Sequence, residues 1–247
     1  TGDIVAVGAI QVGATVSKGY VSIYEWNGSS WNKKGTDIIG ESDPDFFGRG
    51  LSMNSAGDRI AIGAGQGDSV NGLNSGHVKI YTWINPNWVQ VGENIDGPTA
   101  GDNFGGAWNV SMNDVGNRVA IGSHKGYVKV YELVGGSNLT INQNWNQIGA
   151  DIIGKTTNDK FGNSLDINGA GDVVVIGAPG YGAGLQNSVA VTGFVEVYKW
   201  NGTSWSQLGT TINGESTDIR VGTSVSTNAI GNRIVIGIPS NGHSEEA

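Results

Sequence analysis

The chain has 247 residues, 42 of them Gly, with 14 Lys and Arg against 22 Asp and Glu, a net charge of −8. Glycine is about 17% of the chain against a usual share of about 7%, without the G-X-Y period of collagen. The absence of Cys excludes disulfides and thiolate metal sites. Sparse, scattered cations argue against nucleic acid as a partner, and no stretch approaches the roughly 18 apolar residues of a membrane-spanning helix.

The chain opens on an alternating string, Val5 to Ala9, whose relatives return at Ile60, Val119, Val174 and Ile234. This is segment b; its glycines, Gly8, Gly63, Gly122, Gly177 and Gly237, recur at intervals of 55, 59, 55 and 60. Segment c follows as Val21–Trp26, Val78–Trp83, Val128–Leu133 and Val195–Trp200, with Val78 and Ile80 on one face and Lys79 and Tyr81 on the other. Segment d begins at Trp31, Trp88, Trp145 and Trp205, at intervals of 57, 57 and 60. Segment a follows a Gly (Gly48, Gly105, Gly162, Gly222) preceded by Phe47, Phe104, Phe161 and, in the last copy, Val221. Period-two alternation rich in Val, Ile and Tyr predicts strands, and no 3.6-residue pattern predicts helix.

Turn chemistry separates the strands. Between a and b stand Asn54…Gly57-Asp58, Asn113…Gly116-Asn117, Asn168…Gly171-Asp172 and Asn228…Gly231-Asn232, a tight hairpin signal. Between c and d, Asn27-Gly28 and Asn201-Gly202 carry the cue for a two-residue hairpin. The fold class expected is all-β: a β-propeller of four-stranded antiparallel blades, because units this thin bury both faces only by packing on one another. The reading gives one propeller region over 1–247, with complete blades at about 46–95, 103–150 and 160–210, and partial blades at 1–38 and 219–247. Counting b-c-d, three full sets and a final a-b gives 17 strands, and the expectation is a piece of a larger propeller.

From Phe161 to Tyr198 the order Phe-Gly, Gly177-Ala178-Pro179, then Gly-x-Val-x-Val-Tyr resembles the FG-GAP repeats of integrin-alpha-type propellers, and weaker copies extend the resemblance over nearly the whole chain. It implies an extracellular or cell-surface role in adhesion or recognition. Calcium is a cofactor by that resemblance, but the Asp-rich loop is missing here: Asn54–Asp58 and its copies supply too few of the roughly 6–8 oxygens calcium needs. The expectation is a structural turn, no metal and no cofactor.

In a meander the b–c and d–a links share one face. The b–c link varies most in length, so that face is the expected ligand side. The candidate binding residues there are Asp45, Asp102, Asp159 and Asp218, each a few places before a marked Gly, with Asp68, Asn71 and Asn74 in one long b–c loop and Tyr181 and Gln186 in another. A ring of carboxylates could bind a cation or a hydroxyl-rich ligand, or each Asp could serve its own turn, which is favoured. Trp26/Trp31, Trp83/Trp88 and Trp200/Trp205 are either sugar-stacking faces or, more often, cross-strand packing. Trp108 suggests a bulge. Asn27, Asn138 and Asn201 are candidate glycosylation sites in c–d turns, whereas Asn109 belongs within or beside strand a. His77, His124 and His243 share no repeat position, and no catalytic motif is present. The function expected is a non-enzymatic recognition, adhesion or structural module of a larger surface protein or filament, with a protein or glycan partner; the alternative is a carbohydrate-binding propeller lectin.

Overall fold

The computed structural model describes residues 2–10, 18–42, 45–106, 109–135, 143–180, 192–215 and 220–239. Four antiparallel sheets and a hairpin follow one another. Blade 1 holds β1 (Ile4–Ala9), β2 (Tyr20–Trp26), β3 (Trp31–Lys33) and β4 (Ile38–Ile39). Blade 2 holds β5 (Gly50–Met53), β6 (Arg59–Ala64), β7 (His77–Ile84), β8 (Asn87–Gln90) and β9 (Ile95–Asp96). Blade 3 holds β10 (Val110–Met112), β11 (Arg118–Ser123), β12 (Tyr127–Val134), β13 (Asn144–Gln147) and β14 (Ile152–Ile153). Blade 4 holds β15 (Ser164–Ile167), β16 (Val173–Ala178), β17 (Phe194–Trp200), β18 (Trp205–Gln207) and β19 (Ile212–Asn213). The hairpin is β20 (Ser224–Thr227) and β21 (Ile234–Gly237). Among the described residues the only helical element is a 3₁₀ turn, Thr157–Asp159.

The described strands number 21 rather than 17, because each segment d breaks in two. Both pieces pair with the same strand c, as β8 and β9 do with β7. The pairing is continuous across the break, since the Val91 amide donates to the Ile80 carbonyl. At the c–d turn Trp26 is in register with Trp31, and beyond that pair the Asn27 amide donates to the Ser30 carbonyl, leaving Gly28-Ser29 between them. Asn27 Oδ1 accepts from the Ser29 and Ser30 amides while Gly28 takes φ +99°, so the Asn side chain braces the turn.

Strand a is innermost in blades 2 to 4 and in the hairpin: β5, β10, β15 and β20 neighbour one another in turn around a common axis. Their side chains satisfy one another's backbone. Ser52 Oγ accepts from the Met112 amide, Ser111 Oγ from the Ile167 amide, and Asp166 Oδ2 from the Thr227 amide. Strand b has no polar face because both of its faces are covered. Ile60, Ile62 and Ala64 pack with Val21, Ile23 and Phe47 between blades 1 and 2, while Ala61 packs with Val78, Phe104 and Ile121 between blades 2 and 3. Phe47, Phe104 and Phe161 are fully buried at successive interfaces, each contributing about 1.5–3 kcal/mol. Val5, Val7 and Val235, on the first and last sheets, are exposed. The architecture is an all-β propeller.

Candidate functional site

Blades 2, 3 and 4 and the terminal hairpin are each entered by a four-residue corner built on the Phe-Gly mark: Phe46–Arg49, Asn103–Gly106, Lys160–Asn163 and Arg220–Thr223. In each, the amide of the fourth residue donates to the carbonyl of the first. The Phe, or Val221, plunges into the core, so the flanking residues turn toward the axis mouth. Phe46, Asn103 and Lys160 hold φ of +54°, +46° and +55°, a left-handed conformation rare for such residues. The same unusual backbone at three equivalent positions is a property of the repeat.

The b–c links lie on this same face. The Gln66, His124 and Gly180 amides donate to the carbonyls of Asp45, Asp102 and Asp159. The side chains of these three Asp also turn to the backbone: each carboxylate accepts from the amide three residues earlier, in Ser42, Thr99 and Thr156. All three are buried, and none lines a depression described below. Asp68 accepts from the Asn74 amide within the b–c loop, and Asn71 Nδ2 donates to the Gly97 carbonyl of the neighbouring d–a link. Tyr181, Gln186, Asp218, Asn138, Trp108 and His243 lie outside the described residues.

Two adjoining depressions occupy the axis mouth. The first, about 180 Å³, is lined by residues including Phe46, Arg49, Gln66, Asn103 and Gly106. The second, about 200 Å³, is lined by Lys160, Arg220, Thr223 and the Pro179-Gly180 backbone. His124 and Asn163 form the wall they share. No Asp or Glu lines either one among the described residues, although the chain carries −8 overall. The Arg49 guanidinium lies 5.6 Å from the Phe46 ring centroid, a cation–π contact. Burial holds the His124 ring below the ordinary histidine value, and the charges of Lys160 and Arg49 push it the same way. Behind the first depression stands Asn109, 0% exposed, with neither amide atom hydrogen-bonded. Its Nδ2 and the His124 Nε2 lie 3.8 and 3.7 Å from the place a Gly106 Cβ would take.

Phe46, Arg49, Lys160, Asn163, Arg220 and Thr223 were not among the candidates expected from the sequence. A usable signal was present: the positions on either side of Phe-Gly change chemistry from copy to copy inside a constant frame.

The other candidates have structural partners. The Trp pairs are in register, with ring centroids 5.5, 5.4 and 5.3 Å apart. The Nε1–H groups of Trp88, Trp145 and Trp205 donate to the Lys34, Val91 and Ile148 carbonyls of the preceding blade. In the a–b turns Asn54, Asn113, Asn168 and Asn228 each accept from the amides four and five residues on. No group of three His, Cys, Asp or Glu able to hold a metal ion occurs among the described residues. Asn27 and Asn201 are exposed.

No family model matches the chain, and no curated protein does. Among solved structures it is similar to a candidate 6-phosphogluconolactonase from Bacteroides uniformis ATCC 8492, with TM-score 0.52 and 10% identity over 88% of this chain and 51% of that one. It is also similar to the β-propeller domain of Cps50 (Swd1) from Myceliophteria thermophila, with TM-score 0.50 and 8% identity over 90% of this chain and 60% of that one. The chain thus spans about half to three-fifths of the length of these structures. At such identity the likeness carries the propeller fold and no site residue.

Proposed function

We propose that this chain is a non-enzymatic recognition module that takes its ligand at the axis mouth, on the face shared by the b–c and d–a links. The observation that carries the reading is the pair of adjoining depressions built from the Phe-Gly corners of successive blades. Elsewhere the polar groups conspicuous in the sequence are engaged by the fold: the Asp of the d–a links by turn amides, the Asn of the a–b turns by backbone, three indoles by the neighbouring blade. The corner side chains line these depressions from a rigid scaffold, the usual situation of binding residues. A role at the cell surface in a larger protein accords with the resemblance of Phe161–Tyr198 to surface propellers.

Screening the labelled chain on glycan and peptide arrays tests the reading. Arg49→Ala and Asn163→Ala should abolish any captured signal, and Val115→Ser, in the a–b turn of the opposite face, should leave it intact. The reverse pattern would place recognition elsewhere.

A further inference from the structure

We propose that the axis mouth is an oxyanion site, and that the ligand it takes is a hydroxyl-bearing molecule carrying such groups, a sulfated or phosphorylated saccharide. The assignment rests on the recognition reading above and specifies its ligand.

Charge placement is the first reason. Arg49 stands in one depression, Lys160 and Arg220 in the other, and His124 between them, with no carboxylate among the described lining residues. Among the described lining residues the charge is thus of one sign, on a chain with 22 Asp and Glu. A concave site ringed by one sign concentrates ligands of the opposite sign. Arg in particular offers a planar fork that matches sulfate, phosphate or carboxylate oxygens.

The uncharged lining is the second reason. Gln66 and Asn163 supply donors and acceptors suited to hydroxyl groups, and Asn103 and Thr223, which donate to the Gly101 and Arg220 carbonyls, retain an oxygen that can accept. A bare anion would leave these side chains unused, whereas a saccharide scaffold bearing an oxyanion engages both sets. The adjoining depressions have room for more than a single oxyanion, since each encloses about 180–200 Å³.

Calorimetric titration of the chain at low ionic strength with glucose 6-sulfate, glucose 6-phosphate, inorganic sulfate and glucose tests the proposal. The two charged sugars should bind more tightly than inorganic sulfate, glucose should not bind, and affinity should fall as salt is added. Arg49→Glu and Arg220→Glu should each weaken the charged sugars by about tenfold or more. Lys199→Glu, on the exposed face of β17, should leave them unchanged. A circular-dichroism melt of each variant separates lost binding from lost fold. Should one reversal unfold the chain, the salt dependence and the other reversal still decide. Equal binding of glucose, or charged-sugar binding that survives both reversals, overturns the oxyanion assignment. Absence of binding by every probe also overturns it. If an array ligand is meanwhile still lost in Arg49→Ala, the recognition reading stands without it. If array binding ignores the mouth substitutions as well, both fall.

Discussion

The α-carbon of Gly63 in β6 lies directly beneath the carbonyl oxygen of Gly105 at the corner of the next blade, so close that a Cβ on Gly63 would collide with that backbone atom. Gly8 with Gly48, Gly122 with Gly162 and Gly177 with Gly222 repeat the arrangement. Because the obstruction is backbone, rotamer changes cannot relieve it. Gly63→Ala should therefore cost about 3 kcal/mol by prising blades 2 and 3 apart, read as a lower urea midpoint. Gly101→Ala, at φ +74° in open space, should cost only about 1 kcal/mol.

At the outer rim the indole of Trp145 donates to the Val91 carbonyl. Trp145→Phe keeps an aromatic ring but removes the donor, and should cost about 1–2 kcal/mol in thermal or urea unfolding. Trp31 is 46% exposed, and Trp31→Phe should change stability by less than about 0.5 kcal/mol.

Two equivalent inter-blade ion pairs have opposite polarity. Glu41 of blade 1 meets Lys79 of blade 2, whereas Lys155 of blade 3 lies 3.4 Å from Glu196 of blade 4. Lys79 and Glu196 are the buried members. Lys79→Glu would set like charges together and should cost about 2–3 kcal/mol, a figure reduced for the exposure of Glu41. Adding Glu41→Lys should restore about 1 kcal/mol or more in a double-mutant cycle. Independent, additive losses would show that the pair does not couple.

Asn113 Oδ1 accepts from the amides of Asn117 and Arg118, and its Nδ2 donates to Asn117. Asn113→Ala leaves buried donors unmet and should cost about 2–3 kcal/mol. Since these amides occupy the turn that an Asp-rich loop would give to calcium, neither chelator nor added calcium should move the melting temperature.

His77 and His124 both lie below the ordinary histidine value, chiefly through burial; Lys79 adds to the effect at His77, while Asp96, Asp45 and Glu41 oppose it. The unfolded chain therefore takes up protons first. Stability should be greatest above the unfolded value of 6.5 and fall as pH drops through it. Urea midpoints at about pH 8, 6.5 and 5.5 read this slope, and His124→Asn should flatten it. Asp96, raised mainly by burial, acts with the opposite sign at lower pH.

The sequence alone determined the repeat, its strands and their order. Alternating Val, Ile and Tyr beside Asn-x-x-Gly turns has few other solutions, and a segment as uniformly apolar as Ile60–Ala64 must be covered on both faces. It also marked Asp45, Asp102 and Asp159, without deciding between ligand and turn, because one spacing serves both uses. Tertiary structure buries each carboxylate and has it accept from its own turn amide. It alone gathered Arg49, His124, Lys160 and Arg220, which are far apart in the chain and in different blades. Their meeting depends on the rotation from each blade to the next, which the glycine contacts and inter-blade packing set and no local pattern encodes.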